Sequence, residues 1–482
     1  MGVRSRFHKM GTIQVGFVSL LVGCLLASIW FFRDDNIKLA FPILLLPFAV
    51  LFVGAVFVKP ERGLLAVFVV NYFAMGLARY VPAPLGLSVD GILVLTWIAL
   101  FFSQFNEKVS WKKAWKGVSI CALIWFLYAL FQFFNPEAVS RVAWFYAMRG
   151  VSLYMLLTVP LVFLLLDHEK HLDRMLKLWA VFTLLGVVKG IMQQVLGPDP
   201  WEQQWLNEIG GKTHLLPGGL RIFSFFTDAG NYGGSMAFSG VVFSILALHT
   251  TPFRKKLYLG TVALAAFYGM LISGTRGAIA VPLAGFTLYA ILSKKVKVVL
   301  LGGVLIFAAY AFLKFSTLGG SVYEIRRMRT ALDPDNPSLV VRKENQRLLK
   351  GYLASRPFGG GIGSAGNWGL RFSPDTFLAE TPTDSWYVQI WAEQGRVGLI
   401  LHLVILGFIL VSSSRISIYK LETHGMKGKA IALTAGMFGV MIASYGNGII
   451  GQMPNGIILY MSMAFIAMMP RWEQRILVRD PV

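Results

Sequence analysis

The chain has 482 residues, 56% of them hydrophobic and 14% charged, with a mean hydropathy of +0.62 and a formal net charge of +21. Soluble proteins carry about 25% charged residues, and here the apolar residues come in long unbroken runs. A water-soluble enzyme, a disordered tail and a nucleic-acid-binding domain are thereby excluded as the bulk of the molecule. The positive charge sits mostly in short loops between apolar runs, where it sets membrane orientation.

In chain order, the basic start Met1 to Met10, with Arg4, Arg6 and Lys9, leads into an apolar run long enough to span a bilayer. No small-residue cleavage site follows it, so an uncleaved first span is expected. Candidate spans then fall near 12–32, 37–58, 63–79, 89–105, 117–135, 151–166, 174–196, 232–249, 257–273, 277–292, 297–315, 386–412, 428–446 and 453–469. Short neighbouring runs can merge, so the expectation is an all-α polytopic membrane protein of about 12–14 transmembrane helices. Residues 1–482 are read as a single integral membrane domain. Cys24 and Cys121 both lie in apolar runs, and with no C-x-x-C pair or Cys/His cluster they indicate neither a disulfide framework nor a zinc site.

The basic residues choose the orientation. Of the 45 Lys and Arg, 25 fall in the loops that are inside when the amino terminus is inside, and 8 fall in the short and medium outside loops. Long loops are exempt from the rule, so both termini are expected in the cytoplasm. Two outside loops exceed turn length, at about 197–231 and 315–385. Loops of that size are functional or disordered. Their aromatic and apolar residues (Trp201, Trp205, Tyr352, Trp368, Phe377) favour packing, and any chemistry is expected to face away from the cytoplasm.

The candidate site residues lie on that outer side. The turn Ser273-Gly-Thr-Arg-Gly-Ala278 holds Arg276 between glycines that bare the backbone. Arginine fixed in a tight turn is a good donor fork for phosphate oxygens. Arg221 opens the stretch Arg221-Ile-Phe-Ser-Phe-Phe-Thr-Asp-Ala-Gly-Asn231, beside phenylalanines, where it needs a carboxylate or an anionic ligand. Asp228 and Asn231 are placed to cap the next helix. Lys189, two turns inside its span, needs a partner or a ligand.

The long loop carries Arg326, Arg327, Arg329, Arg342, Lys343, Arg347 and Lys350, mostly a solvated face, with Arg347 kept as an anion-binding candidate. Residues 345–352 read as a short amphipathic helix on the membrane surface. Arg356-Pro-Phe-Gly-Gly-Gly-Ile-Gly-Ser364 is a glycine-rich turn whose amides could nest an anion. Asp384, where the loop re-enters the membrane, is placed either as an N-cap or as a general base. Glu393 follows inside the helix, three residues before Arg396, close enough for the two to neutralise each other. No metal-ligand set, serine–histidine pair or redox site appears, and no cofactor is expected. Arginines with a carboxylate fit an anionic, phosphorylated, lipid-borne substrate and a base-assisted displacement.

At these residues the sequence resembles the O-antigen ligase and Wzy-type polymerase superfamily of bacterial envelope enzymes. The matching elements occur in the family's order: the Arg221–Asn231 stretch, the Ser273–Ala278 turn, the long loop with Pro357-Phe-Gly-Gly-Gly-Ile-Gly, and Tyr387-x5-Glu393-x-Gly-x-x-Gly398. The resemblance covers roughly residues 215–410. It implies a GT-C-like membrane glycosyltransferase in the cytoplasmic membrane, acting on an undecaprenyl-diphosphate-linked glycan in the outer leaflet, without metal or nucleotide sugar. It also implies a flippase and a chain-length regulator of the same pathway as partners. Family arginines hold the diphosphate, a role that carries over to Arg221 and Arg276. Ligases of the family carry His-Asn nine residues before the Glu, whereas this chain has Asp384-Ser385. The resemblance therefore implies polymerisation of repeat units by preference, with Asp384 and Glu393 as the catalytic candidates. A ligase is the runner-up, and a transporter or flippase the reading from another class.

Overall fold

The structure is a computed structural model that describes residues 17, 19–30, 33, 37–81, 83–106, 109–216, 219–294, 296–318, 320, 323–330 and 337–479. The basic start and residues 331–336 of the long loop lie outside the described residues. In a lipid solvent every backbone N–H and C=O needs an internal partner, which leaves helices as the economical solution. Among the described residues, each of the fourteen apolar runs falls mainly on helix. Among the described residues nine helices are long and apolar enough to cross a membrane, from Gly86–Phe105 to His424–Ala443. Strand is confined there to one pair, Leu215–Leu216 against Gly219–Leu220, antiparallel with Leu215 opposite Leu220. The protein is an all-α polytopic membrane protein.

The chain divides into two compact units, Met1–Ala66 with Gly91–Val109, and Val67–Asp90 with Ser110–Val482. In the first unit, Gly63 lies directly against Thr96, where any side chain would collide. Leu45, Phe48, Phe101 and Phe105 are exposed, as lipid-facing side chains are.

The second unit is built around two helices rich in small residues. The apolar stretch of Ala229–Leu248 is 89% buried and that of His424–Ala443 is 78% buried, against 33% for Trp386–Tyr419. Small side chains let the helix axes approach closely, which replaces the hydrophobic drive that lipid cannot supply. The Phe267 ring occupies the space beside Gly240, and the Phe238 ring that beside Gly436. Ala229–Leu248 packs on Phe253–Ile272, and His424–Ala443 on Ala280–Ser293. Hydroxyls join helices inside the bundle, Thr183 to Ser239 at 3.1 Å and Ser417 to Thr434 at 3.3 Å.

Trp386–Tyr419 runs 34 residues and is interrupted at Gly395, whose φ of 66° and ψ of −169° break the helical path. At 1.5 Å per residue the part after the break, residues 396–419, is about 36 Å long, enough to cross a bilayer core. The Asp384 junction and Lys420 therefore mark opposite faces of this unit.

Candidate functional site

The turn after Phe253–Ile272 is the structural centre of the outer site. Gly274 has φ 57°, a conformation that a side chain strains. Ser273 Oγ donates to Met270 O at 2.6 Å and accepts from the Thr275 amide at 3.2 Å. Thr275 Oγ1 donates to Ala229 O at 2.8 Å, docking the turn on the first residue of the most buried helix. Asp228 caps that helix through Asn231 N at 2.9 Å, so the expected cap is present. Asn231 faces away from the turn, donating to Thr227 Oγ1 at 2.8 Å and to Met453 O at 2.5 Å.

Three arginines from three chain segments meet at this turn. Arg221 donates through Nη2 to Thr275 Oγ1 at 3.0 Å and through Nη1 to Thr213 O at 3.0 Å. Arg327 donates through Nε to Gly274 O at 2.5 Å. Arg276 itself reaches Thr330 Oγ1 at 3.4 Å, and Thr330 donates back to Arg327 O at 2.7 Å. All three are half-buried. Guanidinium groups held in a partly desolvated place attract an anion more strongly than they would in water.

The stretch that carries Arg221 is held by residues the sequence reading did not single out. Arg79 lies between the rings of Trp205 and Phe223, 4.5 Å from each, and donates to the carbonyls of Ser224, Phe226 and Thr227. Buried His214 donates from Nδ1 to Gly210 O at 2.8 Å and accepts at Nε2 from the Ala229 amide at 3.1 Å. Burial holds the His214 imidazole below the ordinary histidine range, and the nearby Arg221 and Arg79 act in the same direction.

Asp384 is not the cap. Ser385 caps Trp386–Tyr419, accepting from Val388 N at 3.4 Å. Asp384 sits one residue earlier with φ 41°, its side chain 53% exposed, 3.6 Å from Arg342 Nε. The turn at residues 444–447, which follows His424–Ala443, touches both halves of the site. Ser444 O accepts from Trp386 N at 3.0 Å, and the Asn447 side chain fills the space beside Gly277.

The other expected residues go elsewhere. Glu393 is fully buried, and its Oε1 accepts from Ala365 N at 3.3 Å and Gln389 Nε2 at 3.4 Å. It thus ties the helix to the glycine-rich turn and is not brought to the arginine cluster. The break at Gly395 turns exposed Arg396 away towards Ala354 O, so the two do not neutralise each other as expected. The amides of Gly360 and Gly361 bond Ala392 O and Glu393 O at 3.0 and 2.7 Å. The turn packs closely on its neighbours, with no room for a Cβ at Gly359 against Gly395 or at Gly361 against Ala138. The amides of Gly360 and Gly361 are thus taken by helix carbonyls, and the amide of Ala365 just beyond the turn faces the protein's own Glu393 carboxylate.

Lys189 pairs with Asp199 and Glu202, both at 3.0 Å, and Tyr80 donates to Asp199 at 2.5 Å. Its partner is the protein. Arg347 is a surface residue, 2.6 Å from Glu344 one turn earlier. The amphipathic helix runs over Pro337–Tyr352, and the side that carries Leu349 packs on Leu378, Val388 and Ala392, covered by protein where lipid was expected. Tyr352 stacks on Phe377 at 4.6 Å and Trp368 on Tyr146 at 5.0 Å.

Two comparisons bear on this arrangement. The family described as O-Antigen ligase matches residues 234–403. An O-antigen polymerase of Salmonella muenchen is 22% identical over 352 residues, covering 69% of this chain and 84% of that protein. Both matches support the resemblance to the O-antigen ligase and Wzy-type polymerase superfamily. They support a role in polysaccharide assembly for this membrane protein. The superfamily match contains Arg276, Arg327, Asp384 and Glu393, while Arg221 and Lys189 lie ahead of it.

Proposed function

We propose that this protein polymerises undecaprenyl-diphosphate-linked oligosaccharide repeat units into a surface polysaccharide, at the outer leaflet of the cytoplasmic membrane. The observation that carries the reading is the meeting of Arg221, Arg276 and Arg327 on one turn at a helix start. A diphosphate leaving group gains negative charge as the sugar departs, and guanidinium forks fixed in advance stabilise that charge most where it develops. Lysine would supply charge without the planar fork.

In the proposed step an acceptor hydroxyl oxygen forms a bond to the anomeric carbon as the bond from that carbon to the phosphate oxygen breaks. The bonding pair leaves with the diphosphate, held by the three arginines. The hydroxyl proton passes to the Asp384 carboxylate, which is half-exposed at the junction and free of capping duty. Arg342 holds that carboxylate in place. The arginines take the position a divalent cation would occupy, so the reaction is proposed to need no metal. The charge count places both termini in the cytoplasm and the cluster outside.

A ligase moving finished glycan to lipid A core or protein is the second reading, favoured by the description of the matching family. Asp384 in the place of the ligase histidine, and the polymerase of Salmonella muenchen, favour polymerisation. Glycan profiling of a deletion strain separates them. Products of a single repeat mean lost polymerisation, and full-length chains stranded on undecaprenyl diphosphate mean lost ligation.

A further inference from the structure

On the face opposite the arginine turn, a cavity of about 260 Å³ opens where two helix ends meet the side of a third helix. Lys116 precedes Gly117–Phe131, Lys420 follows Trp386–Tyr419, and Arg471 lies within Asn455–Arg479, next to Pro470. The rest of the wall includes the apolar side chains of Ile416, Met468 and Pro470. Three other basic residues of this face have acidic partners. Lys113 and Arg475 pair with Asp167 at 3.0 and 3.2 Å, and Lys429 pairs with Glu169 and Asp173 at 2.6 and 2.7 Å.

Lys116, Lys420 and Arg471 form no ion pair among the described residues. Two acids are equally near in sequence: Glu473 is buried and turned to the neighbouring loop, accepting from Glu422 N at 3.0 Å and Thr423 N at 2.8 Å, and Glu422 is exposed and forms no ion pair among the described residues.

We infer that this cavity binds an anionic phospholipid of the bilayer, its phosphodiester among the three basic side chains and its upper acyl chains on Ile416, Met468 and Pro470. Three cations around one cavity call for an anion. The position at the ends of membrane-crossing helices puts lipid headgroups within reach, and basic pockets of this kind recognise them. The apolar wall has no use for a free inorganic ion but suits the glycerol and first methylenes of a lipid. A zwitterionic headgroup would bring a cation of its own against the cluster. The site lies at the far end of the roughly 36 Å of helix that follows the break at Gly395, so it is separate from the donor site.

The test uses full-length protein purified in mild detergent, with native mass spectrometry and thermal unfolding after adding phosphatidylglycerol, phosphatidylcholine or inorganic phosphate. Each basic group near an anionic lipid contributes roughly fivefold, so K116Q/K420Q/R471Q should lower phosphatidylglycerol retention by about a hundredfold. R254Q/K255Q/K256Q removes the same charge from an exposed stretch of that face and should keep retention. Phosphatidylcholine and inorganic phosphate should neither remain bound nor stabilise. Should the triple variant not fold, Lys420→Glu at an exposed position should alone cut retention at least tenfold. Equal retention of phosphatidylcholine, equal loss in the control triple, stabilisation by phosphate alone, or unchanged retention in Lys420→Glu would each overturn the assignment.

Discussion

Asp384→Asn separates chemistry from architecture at the loop–helix junction. Asparagine adopts positive φ as readily as aspartate, so the φ of 41° is kept; alanine would add about 1–2 kcal/mol of backbone strain. The pair with Arg342 is 3.6 Å long and its carboxylate is 53% exposed, so losing it costs about 0–1 kcal/mol. Ser385 retains the cap. The asparagine variant should therefore unfold within about 1 kcal/mol of wild type. Removing the base should slow transfer by about two to four orders of magnitude. Ser385→Ala runs the other way: it loses a 3.4 Å cap bond, costs about 0.5 kcal/mol and leaves polymer length unchanged. The assay pairs thermal unfolding in detergent with a glycan ladder from cells. Near-normal polymer in Asp384→Asn would remove Asp384 as the base.

Glu393→Gln should keep most activity, because an amide oxygen can still accept from Ala365 N; Glu393→Ala should lower stability by about 1–3 kcal/mol by leaving that amide unmet, read by thermal unfolding. His214 is buried with its pKa held down, so its contribution is present above the unfolded value of about 6.5 and is lost as pH falls through the lower folded value. Protection of the Ala229 amide, taken relative to the intrinsic exchange rate at each pH, should accordingly fall on acidification below about pH 6, and constant protection from pH 8 to 5 would contradict this. Purified enzyme should polymerise in excess chelator; loss in EDTA restored by magnesium would place a cation at the diphosphate instead of the arginines.

Most of the fold was legible because lipid leaves an apolar run few alternatives to helix. Arg276 was legible for a local reason, glycines flanking an arginine in a turn. Arg327 was not, since Arg326, Arg327 and Arg329 look alike until the packing of their helix chooses which one reaches Gly274 O. The cap at the junction depended on a single residue, as Asp384 and the adjacent Ser385 are equally good caps by type. Lys189 found its partners only through the fold of residues 199–202, which brings two carboxylates back over the helix end. The glycine-rich turn has the composition of an anion nest, and only its contact with the kink at Gly395 shows that the glycines serve close packing.

The most direct test of the diphosphate site is equilibrium binding of undecaprenyl diphosphate to purified protein, with undecaprenol as the uncharged control. One charged hydrogen-bonding group contributes about 1.5–3 kcal/mol, so Arg221→Ala, Arg276→Ala and Arg327→Ala should each weaken diphosphate binding by roughly 10–100-fold. Exposed Arg326→Ala should leave it unchanged, and undecaprenol should bind all variants alike. Wild-type affinity for the diphosphate in all three alanine variants would contradict the proposed donor site.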